Sequence, residues 1–317
     1  MTRLLHLSAQ TEAENIEATS VFGIVRPSPF PGIVYELRPN LFGTFRDRRF
    51  STNEFGMRGS SVERSKPPGV VRVVGLGDSY MFGWGVSQEE TYLALLNESF
   101  AEEEPKIEFL NFGTPGYNTA MEVALYEHKA RHFEPDLILI HFVGNDLSLP
   151  HHLQPPRDVS PANWHLIELI RAVLAAKALD GELELLPHDL TSFPERVQEE
   201  VESHYDYMLG PQGYRHAMAR FAELAHADSV PVVIMSLGPR DIVEQVASEH
   251  GFRVLETSSV FAELMEKQGI EVTRDRWREL LRLPGDIHPS PFAHMAYAEA
   301  IRRELSAQGL ARAGTAP

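Results

Sequence analysis

An apolar run that ends abruptly in a glycine-rich turn constrains the fold of this chain more than any other stretch. Residues 70–76 are rich in β-branched side chains, which is typical of a buried parallel strand. Gly77 and Asp78 end the run, Ser79 follows, and a helical pattern of apolar residues begins near Tyr92. In an open α/β sheet, ligands bind at this carboxyl end of a strand. Ser79 is therefore a candidate nucleophile, provided that a base and oxyanion donors reach it.

Three known glycine-rich motifs fit this turn only in part. A dinucleotide-binding fingerprint requires a third glycine where Tyr80 stands, and a phosphate-binding loop requires a lysine that the turn does not contain. An α/β-hydrolase elbow requires a glycine where Met81 stands. The alternative to catalysis is that Ser79 only caps the following helix. The turn by itself leaves both interpretations open.

Composition excludes several classes of function. The chain has 317 residues, 43% of them hydrophobic, which is enough for one sizeable core with or without a small appendage. It has no cysteine, so disulfides, thiolate metal sites and a cysteine nucleophile are excluded. A formal net charge of −16 disfavours nucleic acid and anionic membranes as partners. No run approaches the ~18 apolar residues of a membrane helix. Residues 1–20 do not resemble a signal peptide, so we expect a cytoplasmic protein, or a secreted one if a leader has been removed.

Prolines, glycines and apolar runs divide the chain into segments. Residues 1–68 predict an N-terminal extension of short strands with one or two hairpins. Residues 69–310 predict one domain with a parallel sheet, because five apolar runs alternate there with helical spacers. Residues 148–228 predict a helical insertion that either covers the sheet or forms a wall of a substrate pocket, and residues 311–317 predict a tail. The five runs are residues 70–76, 107–112, 137–143, 230–237 and 252–257.

Polar groups follow these runs where the carboxyl ends of the strands are expected. A loop around Gly116 can present backbone N–H groups, and Asn145 supplies a side-chain amide after the third run. His288 precedes the last predicted helix, with Asp286 two residues before it. Acyl transfer requires a nucleophile, a base and donors for an oxyanion. We therefore expect Ser79 as nucleophile, His288 as base and Asp286 as the group that orients the imidazole. The N–H groups of Ser79 and Gly116 and the amide of Asn145 are the expected oxyanion donors.

In order and spacing these blocks resemble the SGNH hydrolases, also called the GDSL esterase/lipase family. The resemblance covers about residues 70–302. The residues before them also resemble bacterial members of the family, in which a short extended segment precedes the first block. It implies a flavodoxin-like three-layer α/β/α fold with a five-stranded parallel sheet. It also implies serine ester hydrolysis that needs no metal and no cofactor. The family name records serine, glycine, asparagine and histidine, which match Ser79, Gly116, Asn145 and His288.

Two residues depart from the family pattern. Tyr80 stands where the family usually has leucine or another small or apolar residue, which we expect to alter packing rather than chemistry. The family usually places two residues between its aspartate and histidine, whereas Asp286 and His288 are separated by one. Side chains at i and i+2 of an extended segment point to the same side, so Asp286 can still orient His288. The alternative is a Ser–His dyad oriented by a backbone carbonyl.

The sequence thus predicts a serine esterase that hydrolyses carboxylic esters, with short acyl chains, through an acyl-Ser79 intermediate. One alternative is an O-acyltransferase or deacetylase that acts on a carbohydrate or polymer. Another is a non-catalytic binding module on the same fold. The expected partner is a small-molecule or glycan ester, and the oligomeric state stays open. Four aromatic residues are the candidate lining of the acyl pocket: Tyr80, Trp84, Tyr117 and Trp164.

Overall fold

A computed structural model describes residues 13–150 and 205–310, and its first elements are five short strands. They are β1 (Glu14–Ala18), β2 (Val25–Pro27), β3 (Tyr35–Leu37), β4 (Leu41–Phe45) and β5 (Arg48–Ser51). β4 pairs with β1 in parallel and with β5 in antiparallel orientation, and β2 pairs antiparallel with β3. Arg46 and Asp47 both have positive φ, as the two-residue turn of the β4–β5 hairpin requires. The predicted N-terminal extension of short strands and hairpins is confirmed.

Five parallel strands form the central sheet, as predicted. They are β6 (Val71–Gly77), β7 (Ile107–Asn111), β8 (Leu137–Phe142), β9 (Val232–Ser236) and β10 (Arg253–Leu255). Their order across the sheet is β10-β9-β8-β6-β7, which is the flavodoxin-like order. The chain therefore builds the sheet outward in both directions from β6. The space beside the carboxyl end of β6, between the crossovers to β7 and β8, is the switch point where such sheets bind ligands.

Helices cover both faces of this sheet, because alternate strand residues point to opposite sides. The helices of the described residues are α1 (Ser79–Phe82), α2 (Tyr92–Ser99), α3 (Thr119–His128), α4 (Gly210–Asp228), α5 (Arg240–His250), α6 (Ser258–Lys267), α7 (Arg274–Leu281) and α8 (Pro291–Ala307). Val74 and Leu76 join the core on the face covered by α3, α4 and α5. Val73 joins the core on the face covered by α2, α6 and α8. The three-layer α/β/α architecture is confirmed.

A third core cluster joins the N-terminal strands to the turn that follows β6. Phe45 and Phe50 pack there against Phe82 and Trp84, with ring centroids 5.1–5.9 Å apart. The predicted boundary between residues 1–68 and 69–310 stays a prediction.

The predicted insertion at residues 148–228 is described only at its two ends. α4 occupies its C-terminal part, and residues 151–204, including the pocket candidate Trp164, lie outside the described residues. Within the described ranges no helix combines the length and apolar character needed to cross a membrane.

Candidate active site

Ser79 is the first residue of α1, directly after the turn that ends β6. The side chain of Asp78 caps this helix by accepting a hydrogen bond from the Tyr80 backbone N–H at 2.8 Å. The capping interpretation of Ser79 is therefore wrong, since Asp78 performs that role. The turn requires a glycine before it, because a Cβ on Gly77 would lie 2.5 Å from the Cβ of Met81. These contacts hold the Ser79 side chain at the carboxyl edge of the sheet.

His288 reaches Ser79 from the loop that precedes α8. Its Nε2 lies 2.8 Å from the Ser79 Oγ, although the two residues are 209 positions apart in sequence. The loop is fixed by a hydrogen bond from the Leu283 N–H to the His288 carbonyl at 2.9 Å. The Tyr80 hydroxyl adds a second bond, to the carbonyl of Ile287 at 2.9 Å. The helix that carries the serine is thus tied directly to the loop that carries the histidine.

Asp286 lies on the far side of the imidazole from Ser79. Its Oδ1 is 2.6 Å from Nδ1 of His288 and also accepts the His288 backbone N–H at 3.1 Å. The hydrogen bond from His288 lowers the pKa of the Asp286 carboxyl, which keeps that carboxyl ionised. With the Nδ1 proton directed at this carboxylate, Nε2 presents its lone pair to the serine hydroxyl. The group at Nδ1 is therefore the carboxylate and not a backbone carbonyl.

Asn145 lies beside the serine in a short turn after β8. Its Nδ2 donates to the Oδ2 of Asp78 at 2.9 Å, and the same oxygen is 3.3 Å from the Ser79 Oγ. Asp78 is fully buried, and burial raises the pKa of its carboxyl. Since an amide nitrogen carries two protons, one N–H of Asn145 is fixed on Asp78 and the other is available to a second acceptor.

The buried side chain of Asp146 fixes the turn that contains Asn145. Its two carboxylate oxygens accept the Val143 N–H at 2.6 Å and the Thr119 hydroxyl at 3.0 Å. The side chain is 1% exposed, and burial raises the pKa of Asp146 well above its ordinary value. The turn is therefore anchored both to its own strand and to α3.

Gly116 belongs to a buried loop that packs on the end of β6. The loop is bound to that strand by the Thr114 N–H, which donates to the carbonyl of Gly77 at 3.0 Å. Gly116 has φ +77°, a backbone conformation that favours glycine. Within residues 13–150 and 205–310, the N–H groups of Ser79 and Gly116 donate to no acceptor. Both are therefore available to donate to a bound ligand.

Three of the four aromatic pocket candidates lie in the described part of the chain. Trp84 is 3% exposed and stacks on His288, with ring centroids 5.1 Å apart and planes 22° apart. Tyr117 is 1% exposed, and its hydroxyl donates to the carbonyl of Tyr35. Tyr80 is half-buried, with its ring centroid 5.4 Å from that of His288. Trp84 and Tyr117 are thus both buried in packing contacts.

Sequence reasoning missed two residues of the N-terminal strands and turns that contact the site loops. The Tyr35 hydroxyl donates to the carbonyl of Pro115, and Arg58 donates to the carbonyls of Phe82 and Gly83. These partners are 80, 24 and 25 positions away in sequence. No local pattern signals contacts of this kind.

Comparisons with known proteins match the central and C-terminal part of the chain to a family of lipases and acylhydrolases and to solved structures of esterases. Residues 76–296 match the GDSL-like Lipase/Acylhydrolase family. Among solved structures, the psychrotrophic esterase EstA from Pseudoalteromonas sp. is 12% identical, with a TM-score of 0.44, covering 75% of this chain and 98% of its own. A lipase/acylhydrolase from Enterococcus faecalis is 16% identical, with a TM-score of 0.44 and coverage of 78% and 100%. A catalytic mutant of an acetylxylan esterase from Geobacillus stearothermophilus is 15% identical, with a TM-score of 0.44 and coverage of 74% and 94%. No curated protein matches the sequence significantly.

Proposed function

This chain belongs to the GDSL-like lipase/acylhydrolase family, and from that premise we propose that it hydrolyses carboxylic esters of short acyl chains through an acyl-Ser79 intermediate. Membership of the family makes the protein a hydrolase of ester bonds. The observation that carries the proposal is the hydrogen-bonded series from Asp286 through His288 to Ser79, with contacts of 2.6 and 2.8 Å.

The geometry supports a two-step reaction. As the Ser79 Oγ bonds to the ester carbonyl carbon, its proton passes to Nε2 of His288, and the carbonyl oxygen becomes an oxyanion. Collapse of the tetrahedral intermediate breaks the bond to the alcohol oxygen, which takes the proton back from Nε2. A water molecule then attacks the acyl-Ser79 carbonyl in the same way, and Nε2 first accepts and then returns its proton. The products are the carboxylic acid, the alcohol and the regenerated serine.

Neighbouring groups support both charges that develop in this reaction, the positive charge on the imidazole and the negative charge on the carbonyl oxygen. The ionised Asp286 stabilises the imidazolium that forms when His288 accepts the proton. The N–H groups of Ser79 and Gly116 and the second amide proton of Asn145 are the donors for the oxyanion. Each such donor is worth ~10²–10³ in turnover, because it is oriented before the charge appears.

The burial of the described aromatic side chains around Ser79 supports a preference for short acyl chains. Trp84 and Tyr117 are packed in the interior, so neither offers a free face to a long chain. Of the three described aromatic candidates, Tyr80 is the one that is only half-buried. Nitrophenyl esters of increasing chain length test this part of the proposal, which requires that kcat/KM be highest for acetate or butyrate.

Substitution of the nucleophile tests the reaction itself. Ser79→Ala should lower turnover of a chromogenic acetate ester by ~10⁴ or more, as in other serine hydrolases. Ser61→Ala is the control, because that exposed hydroxyl bonds only Glu54 in the described chain. An organophosphate should label Ser79 and no other serine. Retention of more than about a hundredth of wild-type turnover by Ser79→Ala would refute the assignment, given the losses usual at such sites. Transfer of the acetyl group to an added glycan alcohol in preference to water would make the protein a transferase.

A further inference from the structure

The N-terminal strands contact the peptide group that contains the Gly116 N–H. The Tyr35 hydroxyl, on β3, donates to the carbonyl of Pro115 at 2.8 Å, and Tyr117 donates back to the Tyr35 carbonyl. The Pro115 carbonyl and the Gly116 N–H belong to one planar trans peptide, so they point in opposite directions. A donor that holds the carbonyl toward β3 therefore directs the Gly116 N–H away from β3. Tyr35 is 2% exposed, so water does not compete freely for this carbonyl.

The same N-terminal segment contacts the turn that carries Ser79. Arg58 donates to the carbonyls of Phe82, Gly83 and Val86 at 2.9, 2.6 and 2.8 Å. α1 has only four residues, so its C-terminal carbonyls have no helical partners and depend on an outside donor. Arg58 is 4% exposed and supplies that donor from within the core.

The turn that Arg58 binds also contacts His288, the proposed base. Trp84 lies within that turn, and its ring stacks on the imidazole of His288 at 5.1 Å. One buried guanidinium therefore restrains both the helix that begins at Ser79 and the ring on which His288 rests.

We propose that Tyr35 and Arg58 are positioning residues for ester hydrolysis, an inference that rests on the proposed function. Tyr35 orients the Pro115–Gly116 peptide so that its N–H meets the oxyanion, and Arg58 fixes the turn that carries Ser79 and Trp84. The N-terminal strands are then part of the hydrolytic apparatus and not an independent appendage.

Loss of positioning has a different kinetic signature from loss of stability. A peptide released at its carbonyl can rotate, and the Gly116 N–H then stabilises only the fraction of transition states that find it in place. Since complete loss of such a donor costs ~10²–10³ in turnover, partial loss should cost about tenfold. KM should change by less than about twofold, because the donor acts on the transition state more than on bound substrate.

Two pairs of variants test the proposal, each with a matched control elsewhere in the fold. Tyr35→Phe removes the hydroxyl and keeps the ring; its control is Tyr126→Phe, a buried tyrosine that bonds Asp228 at 2.8 Å. Arg58→Lys replaces the planar guanidinium, which donates to three carbonyls of the turn, by an ammonium without that geometry; its control is Arg72→Lys, a buried arginine that bonds the carbonyl of Phe133 at 2.8 Å, near the opposite end of β6. Measurements are kcat and KM for nitrophenyl acetate, the rate of inactivation by a phosphonate, and Tm.

The expected result is a kcat about tenfold lower, and a similarly slower phosphonate inactivation, in Tyr35→Phe and Arg58→Lys. Both controls should stay within about twofold of wild type in kcat at a comparable loss of Tm. A Tyr35→Phe enzyme with wild-type kcat, or an equal loss in Tyr126→Phe, overturns the proposal. If Arg58→Lys does not fold, the Tyr35 pair alone decides. Activity that survives in Ser79→Ala would instead refute the proposed function, so the two failures are distinguishable.

Discussion

The Asp286 carboxylate accepts two hydrogen bonds from His288, one from the backbone N–H at 3.1 Å and one from Nδ1 at 2.6 Å. An aspartate side chain commonly bonds the backbone N–H two residues further on, and here that turn brings the carboxylate beside the ring. The short spacing between the two residues is therefore compatible with a complete Ser–His–Asp series. The backbone bond also restrains the carboxylate before the imidazole becomes charged.

The first prediction is that Asp286→Asn strongly lowers turnover. A carboxamide presents an N–H to the imidazole or loses the bond, so His288 no longer holds its proton on Nδ1 and its lone pair toward Ser79. The expected loss in kcat is up to ~10⁴, the magnitude known for this change of tautomer. Asp241→Asn, on the exposed first turn of α5, is the control and should retain full activity. Steady-state kinetics on nitrophenyl acetate measure both, and a tenfold or smaller loss would show that the carboxylate is dispensable.

The sequence predicted the sheet and the meeting of Ser79 with Asn145 for a physical reason. Buried parallel strands need apolar, β-branched residues on both faces, so β6 and β8 are visible as short apolar runs. The carboxyl ends of parallel strands lie along one edge. Polar residues just after the runs therefore had to meet there, whatever their separation along the chain.

The remaining contacts were not predictable because they depend on which surfaces meet. The bond from Tyr35 to Pro115 exists only because β3 packs against the Gly116 loop. Trp84 and Tyr117 were candidates for the lining of the acyl pocket, and the sequence does not specify which neighbour covers an aromatic ring. In this fold His288 covers one and Tyr35 the other.

The second prediction concerns Asn145. Asn145→Ala removes one oxyanion donor and also the hydrogen bond to the buried Asp78, so kcat should fall by ~10²–10³. Asn97→Ala is the control, because the Asn97 amide makes two hydrogen bonds to the backbone of Phe109 and none to the site. Comparison of kcat and KM in the two variants separates the effects. Equal activity in both would exclude Asn145 as a donor.

The third prediction concerns Gly113, at the start of the Gly116 loop. A Cβ there would overlap the backbone nitrogen of Phe82, so Gly113→Ala must push the loop away from α1. We expect turnover to fall at least tenfold, since oxyanion donors act only at hydrogen-bond distance. Gly251→Ala strains a left-handed residue at the end of α5, which lowers Tm without contacting the site. If both variants lose Tm and activity in the same proportion, displacement of the loop is not the cause.

Two buried histidines outside the catalytic series should make stability depend on pH. His141 and His294 are fully buried on either side of Tyr92, and burial lowers the pKa of each imidazole from 6.5 to about 3. Between pH 6.5 and about 3 the unfolded chain therefore binds protons that the folded chain does not. The stability due to each neutral histidine is complete above pH 6.5 and is lost as the pH falls through that window.

The fourth prediction is that removal of these imidazoles flattens the decline of stability in acid. One proton bound only by the unfolded state corresponds to a slope of about 1.4 kcal/mol per pH unit. His294→Asn keeps an acceptor for the Tyr92 N–H but cannot titrate, so the slope between pH 6 and 4 should fall by up to about that amount. His141→Asn should act likewise, and the two effects should add unless Tyr92 couples them. Urea unfolding at half-unit pH intervals measures the slopes, with Asn97→Ala as a control that lowers stability equally at every pH. Curves for His294→Asn and wild type that stay parallel throughout this range would show that His294 is protonated in the folded protein.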